Sequence, residues 1–188
     1  MTTVREAQLA HDVDAVKQLW LDYLTWGNNE MQARHGVHPH DPQIAVENDM
    51  AHISKFLPPT GYLLLAFQGD VPCGIGCMQK IGPETCEIKR MYVAPDARRG
   101  GVGRAILDAL VARAQSAGYK KIRLDSPEFM TAAHSLYRSC GFREIEAYPE
   151  SEIPAEFRKY LVFMERDTFH DPQRCSITIL SDGATKPI

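Results

Sequence analysis

A single domain of mixed α/β (α+β) class is what this sequence predicts, on three observations. The chain has 188 residues, 44% of them hydrophobic, which fills one well-packed core and would crowd two. Strand-like and helix-like segments alternate along it without internal repeats. In its middle, three strand candidates follow one another across short turns, as in a meander.

Charge and run length exclude several classes. Lys plus Arg number 21 against 24 Asp plus Glu, a net charge of −3, so nothing draws the chain as a whole to nucleic acid or an anionic membrane surface. The longest apolar run, Tyr62 to Phe67, is strand-sized and far short of the roughly 20 residues of a spanning helix. Met1 to Glu6 lacks the apolar core of a secretory signal, and the expected location is cytoplasmic. Cys73, Cys77, Cys86, Cys140 and Cys175 are too scattered for a disulfide scaffold and read as reduced, mostly packed thiols.

The elements follow in order. Thr2 to Glu6 reads as a short strand. Val13, Val16, Trp20, Tyr23 and Leu24 recur at helical spacing behind Asp12, a residue type that caps helix starts. Gly27 to Gln43, rich in Asn, His and Pro, predicts an irregular loop. A second helix is expected over Ile44 to Phe56, stopping before Pro58-Pro59 because proline disfavours helical geometry in the residue ahead of it. Tyr62 to Phe67 and Cys73 to Gln79 flank the turn Gln68-Gly69-Asp70, and Cys86 to Val93 follows Gly82-Pro83. From Gly101, the residues Val102, Ile106, Ala109, Leu110 and Ala117 line one helical face, Arg104, Asp108 and Arg113 the other, and Gly118 supplies the stop. Lys121 to Asp125 is a further strand, Thr131 to Cys140 a helix closed by Gly141, and Phe142 to Ala147 and Tyr160 to Glu165 the last two strands. The domain is expected over residues 1–167, with 168–188 a poorly tied tail.

The densest chemical signal is Val93-Ala94-Pro95-Asp96-Ala97-Arg98-Arg99-Gly100-Gly101-Val102-Gly103-Arg104, where a strand end passes through a glycine loop into a helix. The unpaired amides of a first helical turn attract anions, glycines let a phosphate come close, and the arginines add charge. A P-loop is excluded because Gly103 is followed by Arg104-Ala105 instead of Lys-Ser/Thr. A dinucleotide fingerprint has Gly101-x-Gly103 and an acid, Asp125, about 20 residues on. Against it, Ile106 stands at the third glycine position, and Ala94 to Gly100 intervene where a tight turn belongs. A third phosphate-binding reading, the pyrophosphate of coenzyme A, competes with these, and a glycine-rich turn with solvated arginines is the alternative to all three.

The segment Glu87-Ile88-Lys89-Arg90-Met91-Tyr92-Val93-Ala94-Pro95, followed by Arg98-x-x-Gly101-x-Gly103, resembles the central motif of the GCN5-related N-acetyltransferase (GNAT) superfamily. Ala133-His134-Ser135-Leu136-Tyr137-Arg138-Ser139-Cys140-Gly141-Phe142 resembles its second motif, Ala-x-x-Leu-Tyr-x-x-x-Gly-Phe. The likeness extends loosely from about Thr3 to Arg166. It implies a twisted, mixed but mostly antiparallel sheet of about six or seven strands flanked by about four helices. It also implies acetyl-CoA as co-substrate; no metal is expected, because no ligand cluster supports one. The amides of Arg99, Gly100, Gly101, Val102, Gly103 and Arg104 would bind pyrophosphate, with Arg98 shaping the loop, and Met91, Tyr92 and Val93 would meet the pantetheine arm as an added strand. Many relatives carry an asparagine where this chain has Met130.

Acetyl transfer to an amine asks that the ammonium lose a proton and the leaving thiolate gain one. By the resemblance, Glu87 is the general base, acting through a water, and Tyr137 the acid; a phenol of pKa near 10 holds its proton at neutral pH. The two-residue strand period puts Glu87, Lys89, Met91 and Val93 on one face and Ile88, Arg90 and Tyr92 on the other. Cys140, one turn after Tyr137, permits an acetyl-cysteine relay, but no adjacent cation activates it, and direct attack in a ternary complex is expected. The acceptor is a primary amine of a small molecule or peptide. By topology Trp26, Asn28, Asn29 and Glu30 are candidates to touch it, and the acidic stretch Tyr148 to Pro154 is a candidate to attract its charge. His35, His38 and His40 read as loop residues more than as metal ligands. The alternative reading is a non-catalytic coenzyme A-binding sensor, and a homodimer is compatible with either.

Overall fold

A computed structural model describes residues 2–169. It holds seven strands and four α-helices: β1 (Thr2–Glu6), α1 (Leu9–His35), α2 (Pro42–Ala51), β2 (Tyr62–Gln68), β3 (Val71–Lys80), β4 (Thr85–Val93), α3 (Val102–Ser116), β5 (Lys121–Pro127), α4 (Thr131–Ser139), β6 (Arg143–Ile145) and β7 (Leu161–Asp167). Short 3-10 turns occupy Ile53–Phe56, Pro95–Ala97 and Ala155–Tyr160. The sheet runs β1-β2-β3-β4-β5-β7-β6 and is antiparallel except for β4 beside β5. Beyond Phe169, the expected tail and Cys175 lie outside the described residues. Among the described residues no helix is long and apolar enough to cross a membrane.

Two apolar layers sandwich the sheet. On one face Val102, Ile106, Leu107 and Leu110 of α3 and Tyr137 and Cys140 beside α4 pack with Leu64, Met78, Cys86, Ile88, Ile122 and Leu124. On the other, Val16, Leu19, Trp20 and Leu24 of α1 pack with Phe56, Leu63, Leu65, Ile75 and Tyr92. Helix α3 approaches β3 closely because Gly74 and Gly76 leave it room: an added Cβ would lie 2.8 Å from Ile106 Cδ1 at Gly74 and 2.7 Å from Ile106 Cγ2 at Gly76. The small residue that a close helix–strand contact requires is therefore on the strand, and Ile106 is the knob that fills it.

Three boundaries differ from expectation. Helix α1 does not stop at Leu24 but runs to His35, closed by Gly36 in a left-handed conformation (φ 69°), so Trp26 to His35 are helical and not loop. Gly27, Asn28 and Asn29 are weak helix formers, but Val16, Trp20, Leu24, Asn28 and Met31 continue one buried stripe, and tertiary packing overrides propensity. The helix begins at Gln8, and Asp12 caps it from inside the first turn, accepting from the Gln8 amide (2.6 Å) and pairing with Arg5 (2.6 Å). Asp41 starts α2 earlier than Ile44, accepting from the amides of Gln43 and Ile44.

Candidate active site

The site begins where β4 and β5 part. Their parallel pairing runs from Thr85↔Lys121 to Ile88↔Leu124 and ends there, although β4 stays paired with β3 to Val93 and β5 with β7 to Pro127. The cause lies in β4. Cys77 pairs with Lys89 and Ile75 with Tyr92, so Arg90 and Met91 together oppose Gly76, and Arg90 takes a positive φ of 54°. Such a bulge adds twist and turns the strand away from its neighbour. Beyond the bulge β4 is no longer paired with β5, which leaves that edge for an extended ligand to pair as a strand would.

The bulge also overturns the strict alternation expected for β4. Ile88 packs on the α3 side together with Met91 and Val93, whereas Arg90 and Tyr92 face α1 and α2 on the same side as Glu87 and Lys89. One extra residue gathers Glu87, Lys89 and Arg90 on a single face, which a period of two cannot do.

At the mouth of the opening, Gly101 starts α3 with φ 79° and no side chain to cap it, and Arg99 also has a positive φ of 65°. The first-turn amides of α3 point into the loop formed by Arg99 to Arg104. Around Gly101 a Cβ would meet nothing within 4 Å, while at Gly103 it would approach Leu136, Val93 and Met91. Arg98 donates to the Val93 carbonyl (3.0 Å) and lies over the Trp26 and Tyr92 rings, which ties the loop to β4 and α1. Arg104 pairs with Asp108 along the helix (3.1 Å). The cradle of amides and guanidinium groups fits a pyrophosphate.

On the α4 side, Tyr137 is 5% exposed and its hydroxyl donates toward Met91 Sδ at 3.8 Å, beside the β4 edge. Burial, then Tyr23 and Asp125, hold its pKa well above the ordinary phenol value, so it keeps its proton. Met130 starts α4, with its sulfur accepting from Ser126 (3.5 Å). His134 is buried against Ser126 (3.1 Å), and burial lowers its pKa. Cys140 is buried in the apolar cluster.

The opposite face carries charge. Glu87 is fully buried, accepting from Gln79 (3.0 Å) and Lys89 (3.3 Å) at Oε2 and from the Tyr148 hydroxyl (2.6 Å) at Oε1. The carboxylate expected as a water-linked base is thus fully enclosed and already accepts three donors across its two oxygens. Lys89 also reaches Glu152 (2.9 Å), Lys55 lies between Glu152 (3.7 Å) and Asp49 (3.8 Å), and Arg90 pairs with Asp49 (2.7 Å). Burial works against the charge on Lys89, but Glu87 and Asp125 outweigh it and raise its pKa. The acidic stretch after β6 is thus no free cation trap. Its Glu152 and Glu150 are tied to Lys89 and Arg123, and its Tyr148 seals Glu87.

Asp125, weighed from sequence only as a ribose ligand, stands on this face one residue past the last β4–β5 pair. Its Oδ2 is enclosed and has no hydrogen-bond partner among the described residues. Burial pushes its pKa up to about 6 against the pull of Lys89. The signal that could have marked it is an acid alternating with Ile122 and Leu124 in a strand that pairs on both sides. Tyr23 of α1 lies among the same charges, and its ring is 6.0 Å from that of Tyr92.

Of the acceptor candidates, Trp26 meets Phe129 edge-on at 5.6 Å, bridging α1 to the loop after β5. Asn29 is exposed on α1, and Glu30 pairs with Arg34 (2.9 Å) along the helix. Asn28 is buried and donates to the His40 carbonyl. His35 stacks on Tyr160 (4.3 Å) and lies 3.0 Å from Glu128, apart from His40.

The model of the acetyltransferase (GNAT) family matches residues 15–142. An uncharacterized N-acetyltransferase of Schizosaccharomyces pombe is 27% identical over 156 residues, 81% of this chain and 89% of its own. A GCN5-related N-acetyltransferase from Kribbella flavida superposes with a TM-score of 0.61 at 26% identity, covering 88% of this chain and 97% of that one. The yncA structure from Salmonella typhimurium, described with its cofactor acetyl-CoA, superposes with a TM-score of 0.62 at 18% identity, covering 93% and 98%. With two thirds of its length matched to one family model and its fold shared over nearly all the described residues, the chain belongs to the acetyltransferase (GNAT) family, and acetyl transfer is its chemistry.

Proposed function

We propose that this protein moves the acetyl group of acetyl-CoA to a primary amine of a small molecule or peptide, by direct attack in a ternary complex. The observation that carries this reading is the opening between β4 and β5, with the α3 amide cradle at its mouth and the Tyr137 hydroxyl at its edge. Arg98 to Arg104 hold the pyrophosphate, the Met91 to Val93 edge pairs with the pantetheine arm, and Tyr137 gives its proton to the departing sulfur. Direct attack is favoured over a cysteine relay because Cys140 is buried in apolar packing.

The test is release of free thiol from acetyl-CoA, at mildly alkaline pH, across amino acids, polyamines, aminoglycosides, arylamines and basic peptides. Turnover with one class is expected. Binding of acetyl-CoA with silence across the whole panel would overturn the reading in favour of a coenzyme A sensor.

A further inference from the structure

The charges on the α1 side, some buried and some at the surface, pair off. Glu87, Glu152 and Asp49 are matched by Lys89, Lys55 and Arg90, and each of these ion pairs lies within 4 Å. Asp125 is left over. Its enclosed Oδ2 has no hydrogen-bond partner among the described residues; of the tyrosines near it, Tyr148 donates to Glu87 and Tyr137 toward Met91, and Tyr23 approaches from α1. Enclosing a carboxylate oxygen without a partner is costly, and a half-buried acid held in this way where β4 and β5 part is suited to a cation that enters there. Its place fits that entry: it follows the last β4–β5 pair, facing α1, opposite the side from which Tyr137 reaches the opening.

The geometry points to Asp125 as the group that receives the acceptor amine: its carboxylate binds the ammonium and takes the proton before attack. This rests on the acetyl-transfer reading. The steps balance as follows. R–NH3+ gives one proton to Asp125, which passes it to solvent, and the freed lone pair forms the C–N bond while the carbonyl π pair moves to oxygen. When the C=O bond reforms, the C–S bond breaks, the sulfur takes the Tyr137 proton, and the nitrogen's second proton restores the phenol. In sum, R–NH3+ and acetyl-CoA become the acetamide, coenzyme A thiol and one proton. The charged and titratable groups facing Asp125 are Glu87, Lys89 and Arg90 of β4, Tyr148 and Glu152 after β6, Tyr23 of α1 and Tyr137 of α4. Titrating at about 6, it is a carboxylate at neutral pH and still basic enough to accept a proton.

The test compares the full chain with Asp125→Asn and Asp125→Glu, using two probe nucleophiles at pH 7: n-butylamine, present as its ammonium, and hydroxylamine, present as its free base. For Asp125→Asn, kcat/KM with n-butylamine is expected to fall about a hundredfold or more while that with hydroxylamine changes by less than about threefold. Asp125→Glu should recover part of the loss, and the rise of the wild-type rate through pH 6 should vanish in Asp125→Asn. Equal loss with both nucleophiles, or none, would overturn the assignment. A second readout needs no turnover: n-butylammonium should raise the Tm of the wild-type coenzyme A complex and not that of Asp125→Asn, and tetramethylammonium, with no N–H, should raise neither. Equal stabilisation of both chains by n-butylammonium would also overturn it. If the wild type acetylates neither probe nor any amine of the wider panel, the acetyl-transfer reading is what fails, and the Tm comparison still decides Asp125.

Discussion

The two sides of the β4–β5 opening are built from different materials. On the α3 side the proposed cofactor cradle is backbone: left-handed Arg99 and Gly101, the α3 amides with no side-chain cap, and apolar packing in which Ile106 sits against Gly74 and Gly76. On the α1 side the surface is side chain, a set of ion pairs from α2, the turn after it, β4 and the segment after β6 that runs from the interior to the surface, with Asp125 unmatched among them. A pyrophosphate presents the same anion every time and can be held by amides that are indifferent to sequence except where glycine is needed. An amine acceptor is told from its competitors by charge placement, and charge comes from side chains.

The largest expected effect breaks the backbone side. Gly101→Glu puts a carboxylate and a Cβ into the cradle at a residue whose φ is 79°, so acetyl-CoA should no longer raise the Tm; at a hundredfold excess over Kd, about 2.7 kcal/mol of ligand-linked stability should disappear. Gly101→Ala separates conformation from charge. It should cost about 1–2 kcal/mol of stability for the left-handed backbone while leaving a measurable Tm shift. If Gly101→Glu binds acetyl-CoA like the wild type, the cradle is misassigned.

Tyr137→Phe probes the edge that both sides share. Acetyl-CoA binding should survive, and kcat should fall about ten- to a hundredfold, because a thiolate is already a fair leaving group and gains less from an acid than an alkoxide does. An unchanged kcat would remove Tyr137 from the chemistry. A smaller effect concerns packing: Gly74→Ala should cost about 1–3 kcal/mol, since its Cβ would stand 2.8 Å from Ile106 Cδ1, and Ile106→Val in the same chain should return part of it. Additive losses in denaturant titrations would show that the close approach of α3 to β3 does not depend on that contact.

This division of materials explains what could be read in advance. The glycines, Arg98 and Tyr137 are legible because backbone geometry forces residue types into fixed spacing, and the sheet strands are legible because apolar alternation marks them. The charged floor is not. Asp49, Lys55, Glu87, Lys89, Arg90, Asp125 and Glu152 are scattered along the chain, and only the bulge at Arg90 turns Lys89 and Arg90 to one face. Glu87 was visible as a family position, but the Tyr148 hydroxyl that closes on it comes from a segment that reads as an exposed acidic loop. The missed continuation of α1 has a similar origin, because Gly27-Asn28-Asn29 is poor helix sequence held by a buried stripe whose partners are distant in the chain.

The smallest effect is the most discriminating, because its sign is opposite for a structural charge and a functional one. Asp125 has its folded pKa raised from 3.8 to about 6 by burial, so between those values the folded chain binds more protons than the unfolded one. Its contribution to stability is then present at low pH and is lost as pH rises through about 6. Asp125→Asn, which cannot ionise, should therefore match the wild type near pH 4 and exceed it at pH 7–8, by about 1–2 kcal/mol after allowing for solvent access. Removing a member of a satisfied pair such as Glu87 should do the reverse and destabilise by about 3–5 kcal/mol, leaving Tyr148 and Gln79 without their acceptor and Lys89 with Glu152 alone. Denaturant titrations of both variants across this pH range decide the matter. A stabilised Asp125→Asn that has lost its amine-dependent rate marks a charge kept at the expense of stability for what it binds, whereas a destabilised one would place Asp125 among the structural pairs that surround it.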